Sequence, residues 1–386
     1  MILKRFLPSA LVFSGVMLAQ GTINTYAGSD ALFAGAGQPA TAAQLVGPNS
    51  VAVDGQGNVY FSASGLSMVL KVATNGVISI VAGNGLSRTA GDGGLATGAS
   101  LGYPAGLAFD SSGNLFIADW SYSNVRRVDT NGIITTVAGG QGQSGFSGDG
   151  GPATQALLSG PSALAVDKSG NLYILDTGNN RVRMVTTSGA ISTIAGTGAL
   201  GLAGDGGPAT KATFSFPEGM AIDSSGNLYI ADKYDNVIRR ISVGGIINTV
   251  AGTGQFGYNG DNVQATKAYL AVPRGVTVDA SGNLYIADSA NERIRRVDIN
   301  GIITTIAGTG QAGFSGDGSA ATVATFSTPA AVALDASGAV YVADLDNNRI
   351  RRVVPGGTVT TFAGTATSIG DGGPSIFKLK GAAAAN

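Results

Sequence analysis

The sequence predicts an all-β fold: a six-bladed β-propeller of four-stranded antiparallel blades, joined by long Gly-rich connectors that carry short helical turns. Three observations predict it. First, the chain repeats, with Asp54, Asp110, Asp167, Asp223, Asp279 and Asp335 recurring at intervals of 56, 57, 56, 56 and 56 residues. Second, apolar residues within each copy alternate at strand spacing or run continuously for a few positions, and helical periodicity is sustained nowhere. Third, 61 of the 386 residues are glycine while 44% are hydrophobic, which supplies turn residues and apolar mass together. One four-stranded sheet cannot bury both its faces alone. Six packed radially bury a continuous core and leave only short edges.

The elements of one copy follow in order. "GLAFD" (from Gly106) and "NLFIAD" (from Asn114) are strands a and b, joined through "SSGN", which has the chemistry of a tight hairpin. "VRRV" (from Val125) alternates apolar and basic as strand c, "TNG" turns, and the β-branched "IITTVAG" (from Ile133) is strand d. Seven d-type segments accompany only six a-b-c sets, so either residues 22–28 or residues 358–364 complete the sixth blade, or the chain is truncated before a seventh. The first would latch the ring; the second closes a shorter loop and costs less chain entropy.

Outside the repeats, Lys4 and Arg5 precede an apolar run from Phe6 to Ala19 and then "AQG", the layout of a secretory signal peptide over residues 1–21. The run is short for a membrane span and contains Pro8. The expected organisation is therefore a signal peptide at 1–21, a propeller at 22–364 and a tail at 365–386, with no membrane span after signal removal and a secreted, periplasmic or cell-surface location. Balanced charge, 23 basic against 24 acidic residues, offers no footprint for nucleic acid. The chain has no cysteine and no histidine, which removes thiol chemistry, serine-histidine triads and histidine-zinc sites.

Each connector runs to about twenty residues, long for a compact domain. Four contain G-x-G-x-x-G, starting at Gly140, Gly196, Gly252 and Gly308, and "GDGG" or a variant follows. A dinucleotide site needs a helix opening at the third glycine and a βαβ unit, so the motif is read as a decoy. Calcium would want six to eight oxygens where each loop offers one carboxylate. Asp149 is therefore read as a turn residue bonding the following amides, with Leu157 and the residues Phe146, Leu202, Tyr258 and Phe314 anchoring the loops inward. No cofactor and no metal is expected.

The residues "NLYIAD...ERIRRVD" (from Asn283), preceded by the P-x-G-x-x-x-D pattern that also opens the copies at Pro104 and Pro217, resemble the NHL-repeat propeller family in its secreted bacterial form, over roughly nine-tenths of the mature chain. The resemblance implies that strand a is innermost. It marks the fold and leaves the activity open.

Strand direction puts the connectors and the b-c turns on one face, here called the connector face. The residue after each connector proline then stands near the channel mouth: Asn49, Ala105, Ser162, Glu218, Arg274 and Ala330. Variation within a rigid repeat is where individual function is sought, and Glu218 is one of only two glutamates. Trp120 and Tyr122 of blade two and Tyr234 of blade four add aromatic contact surface in the b-c turns. The candidate ligand-binding residues are thus Asn49, Glu218, Arg274, Trp120, Tyr122 and Tyr234. The expected function is non-catalytic recognition of a protein or glycan partner. The alternative is a metal-dependent lactonase-like hydrolase or lyase with a carboxylate-only site at the channel mouth.

Overall fold

The computed structural model describes residues 33, 35–140 and 142–365. The signal-type segment, the early d-type segment at 22–28 and the tail beyond 365 lie outside them. Six antiparallel blades of four strands each span residues 48–82, 104–138, 161–195, 219–251, 273–307 and 329–363, each strand pairing with the next in sequence, and the two-residue connector strand Val263–Gln264 adds a fifth to the outer edge of blade five. Blade four is built from Gly219–Ile222, Leu228–Asp232, Val237–Ile241 and Ile247–Ala251 as strands a to d. Helix among the described residues is limited to three-residue 3-10 turns.

Local chemistry sets each hairpin. The Asp223 carboxylate accepts the Ser225 and Asn227 amides, both at 2.9 Å, and the Asn227 side-chain amide at 2.7 Å, and the same bonds recur in other copies. Strand b of blade four is buried throughout, because neighbouring blades cover both its faces, and each blade's core is completed by residues of the next.

Strand a lies innermost, where the a strands of consecutive blades contact one another around the ring. In blades two, four and five the glycine of P-x-G, at Gly106, Gly219 and Gly275, lets the neighbouring backbone come especially close. A Cβ on Gly219 would stand 2.3 Å from the Arg274 carbonyl oxygen, so any larger residue there would push two blades apart.

The ring closes through the C-terminal strand: Val359–Ala363 pairs with Arg349–Val353 inside blade six. The Gly364 and Thr365 amides then donate to Ala40 and Ala43, each at 3.0 Å, as Gly196 and Thr197 donate to Ala209 and Ala212 between blades three and four. Closure thus uses the pair of bonds found between blades three and four and again between blades five and six, where Gly308 and Thr309 donate to Ala321 and Ala324.

The connectors are clips between blades. Around the 3-10 turn Ala153–Gln155, the Ala153 carbonyl accepts the Gly139 amide of blade two at 3.0 Å and its amide donates to Gly189 of blade three at 2.8 Å. The buried apolar anchor of this clip is Leu158, whereas Leu157 is only partly covered. Phe146, Tyr258 and Phe314 also differ from expectation: they face outward, and Arg181, Arg293 and Arg349 stack on their rings at 3.8, 4.0 and 3.8 Å. A cation covering an aromatic face does what inward burial was expected to do.

Candidate functional site

The repeated charges belong to the scaffold. Arg183, fully buried on strand c, donates through Nη2 to Asp149 of the preceding connector at 2.6 Å and through Nη1 to Asp176 at 3.4 Å. Asp176, the last residue of strand b, also accepts the Ser159 amide at 2.7 Å. The same Asp-Arg-Asp arrangement stands in blades four, five and six through Arg239, Arg295 and Arg351. In blade two, Arg126 pairs with Asp92. Burial pushes the inner carboxyls up, with Asp288 and Asp344 reaching about 6 despite their arginines. Asp149 is thus structural, as expected, but its partner is an arginine 34 residues on rather than the neighbouring amides.

Channel-mouth residues depart from this repetition. Asn49 and Arg274 each occupy the extra position of a β-bulge at the start of strand a, a device that re-aims a side chain out of the ladder. Arg274 donates through Nε to Glu218 Oε1 at 2.9 Å, makes a second bond to the same oxygen through Nη2, and reaches Asn49 Oδ1 at 3.2 Å. Lys233 Nζ lies 2.7 Å from Glu218 Oε2. Three of the predicted residues, from blades one, four and five, therefore form one bonded cluster. Ala105, Ser162 and Ala330 contribute no charge; Ser162 donates to the Glu218 carbonyl at 2.9 Å. Burial works to raise the Glu218 carboxyl, but the Arg274 and Lys233 charges together hold it below the usual glutamate range.

Beside this cluster runs an aromatic strip. Trp120 lies 5.9 Å from Phe216 between ring centroids, and Phe216 lies 5.6 Å from Tyr234. Lys233 Nζ stands 5.6 and 5.0 Å from the Phe216 and Tyr234 centroids, joining the strip to Glu218. Tyr122 is not part of it: its hydroxyl donates to the Ser87 carbonyl at 2.9 Å on an adjoining connector. Phe216 and Lys233 were not singled out from the sequence. Phe216 adopts φ +58, a conformation that disfavours side chains, held by its amide donating to Asn180 Oδ1 at 2.9 Å. Its position is glycine in two other copies, Gly47 and Gly160, also at positive φ. Tyr103, Val272 and Thr328 fill the position in the remaining copies, so the sequence carried no signal that set Phe216 apart.

On the opposite face, a cavity of about 640 Å³ opens between blades three and four, lined among others by Lys168, Tyr173 and Asp223. Lys168 is occupied there, donating to the Ser224 carbonyl at 2.7 Å.

The model of the teneurin NHL domain matches residues 85–147, 141–203, 198–259 and 254–314, and that of the NHL repeat matches residues 326–353. The chain belongs to the NHL-repeat family. Among NHL-containing relatives, mouse Teneurin-4 is 31% identical over 282 residues, 63% of this chain and 10% of that protein. The chain therefore spans about a tenth of the length of the teneurins it matches. Two solved structures share the NHL propeller's fold. An auxiliary nutrient binding protein from Bacteroides thetaiotaomicron has a TM-score of 0.60 at 16% identity, covering 81% of this chain and 70% of that one. A catalytically inactive virginiamycin B lyase from Staphylococcus aureus has a TM-score of 0.51 at 16% identity, covering 83% and 85%.

Proposed function

We propose that the mature chain is a secreted, non-catalytic recognition propeller that takes a protein or glycan partner on its connector face. The observation that carries this reading is convergence. Where the repeat varies, Asn49, Glu218 and Arg274 bond across the channel mouth, and Lys233 couples them to the Trp120, Phe216 and Tyr234 strip. Aromatic faces beside polar groups already fixed in place suit recognition, because little side-chain freedom is lost on binding. A nutrient binding protein of similar fold is in keeping with this reading.

The geometry gives less support to a metal-dependent enzyme. A carboxylate-only site needs oxygens free to face a cation, yet Glu218 is held between two cationic side chains and Asn49 Oδ1 already accepts from Arg274. The solved lyase was inactivated by a histidine-to-alanine change, and this chain has no histidine to take such a part.

The test is to probe glycan and peptide arrays with the wild-type propeller and a Trp120→Ala/Tyr234→Ala variant. Binding that is lost in the variant at an unchanged melting temperature supports the reading. Equal binding by both proteins, or none by the wild type, overturns it.

A further inference from the structure

Blades three, five and six close their b-c turns with the same amide. Asn179 Nδ2 donates to the Asp176 carboxylate at 2.8 Å and to the Gly145 carbonyl at 2.7 Å. Asn291 bonds Asp288 and Gly257 at 2.8 and 2.7 Å, and Asn347 bonds Asp344 and Gly313 at 2.9 and 2.8 Å. The side chain is a donor set between two oxygens.

Blade four breaks the rule with one change. Its turn reads "DKYDN" from Asp232, so Asp235 stands where the others carry asparagine, facing Asp232. A donor has been replaced by an acceptor. Asp232 is fully buried, and its Oδ2 and the Oδ2 of Asp235 are both shielded from solvent without a hydrogen-bond partner. Two ionised carboxylates in that arrangement would repel, and the buried oxygens would go unsatisfied.

We propose that Asp232 and Asp235 form an acid pair that shares one proton, a proton-binding site that controls the b-c turn of blade four. One carboxyl keeps its O–H and donates it to the carboxylate of the other, restoring the contact that asparagine makes elsewhere. Losing that proton leaves two negative charges in contact. The charged groups around the pair are few. Arg239 Nη1 approaches Asp232 Oδ2 at 3.7 Å, with its Nη2 already engaged by Asp205 of the connector, and the Ser215 amide donates to Asp232 Oδ1 at 2.8 Å. Lys233, next in sequence, is turned to Glu218. Burial first, with the Asp235 charge added, pushes the Asp232 carboxyl up to about 8, beyond its counterparts Asp288 and Asp344 at about 6. Paired carboxyls of this kind titrate as a unit.

The turn so controlled carries Lys233 and Tyr234 of the candidate site. Deprotonation of the pair is therefore expected to reach Trp120, the sole tryptophan, through Tyr234 and Phe216. Regulation of binding by this proton rests on the function proposed above; the proton site itself does not, and its test uses no ligand.

The experiment compares wild type with Asp235→Asn, which installs the amide of the other blades, in melts and tryptophan spectra between about pH 6 and about pH 9. The wild-type midpoint is expected to fall as pH rises. Asp235→Asn should melt higher at the alkaline end by about 2 °C or more, and the gap should narrow toward pH 6. Wild-type tryptophan emission should titrate over the same range and that of the variant should not. A gap independent of pH overturns the shared proton. A flat wild-type emission profile overturns the control of the turn. A midpoint raised by calcium chloride over EDTA in the wild type alone overturns the proposal in favour of a bound cation.

Discussion

Arg183 and Asp149 are 34 residues apart in sequence and 2.6 Å apart in space, and through them a connector is fastened to the blade that follows it. Arg183 has no exposed side-chain surface, and it holds Asp176 of its own blade as well. The Gly-Asp motif that looks like a ligand loop is one end of this fastening.

Removing the arginine should therefore cost more than removing Asp149. Arg183→Met leaves the buried Asp176 carboxylate without its cation, and a loss of about 3–5 kcal/mol is expected. Asp149→Asn, at a partly exposed carboxylate, should cost nearer the low end of the about 1.5–3 kcal/mol typical of charged hydrogen bonds. Urea unfolding of both variants at constant m-value checks the order.

At the channel mouth, Glu218→Ala and Arg274→Ala should each destabilise by leaving a partner charge largely buried, while the double variant loses less than their sum. A coupling of about 1–3 kcal/mol is expected from a double-mutant cycle. The sign with pH follows from the lowered Glu218 carboxyl, whose stabilisation is complete above the unfolded glutamate value and is lost as pH falls through the folded one. Acid melts of the wild type and Glu218→Gln should converge at the acidic end.

Glu292 gives the opposite sign. It takes the place of Asn180, Asn236 and Asn348 and accepts the Thr328 amide at 2.7 Å. Burial, with Asp344 and Asp346 adding to it, raises its carboxyl to about 7. Its contribution is complete below the unfolded value of 4.5 and disappears as pH rises to about 7. Glu292→Asn should flatten the melting profile across that window, measured by calorimetry; an unchanged slope would place the titration elsewhere.

Phe216→Gly should separate stability from binding. Glycine relieves the φ +58 backbone, worth about 1–2 kcal/mol, and forfeits ring contacts worth about 0.5–1.5 kcal/mol, so stability should change little. The Trp120 emission should shift as its tilted ring neighbour is lost.

Six blades were legible because a period of 56 residues constrains strands, turns and core together, and each local signal agrees with the others. Closure was not legible, since residues 22–28 and 358–364 have the same strand chemistry; the short local pairing of Val359–Ala363 is the one in place. The role of Asp149 was missed through attention to neighbours in sequence. A clue was present: blade one has Ala36, Ala63 and Leu70 at the three positions, so all members of the Asp-Arg-Asp set disappear together. The bonded cluster of Asn49, Glu218 and Arg274 was legible as a set of variable positions because each breaks a repeat. Phe216 and Lys233 were missed because their roles arise where turns of different blades meet, which no single copy displays.

The central claim is that recognition resides on the connector face. A ligand obtained from the arrays should be titrated calorimetrically against two double variants. One is Glu218→Ala/Tyr234→Ala on that face, and the other is Lys168→Ala/Tyr173→Phe at the cavity on the opposite face. The first should lose about tenfold or more in affinity, or about 1.4 kcal/mol, while the second should bind as the wild type does. Loss in the second with the first unchanged would contradict the claim.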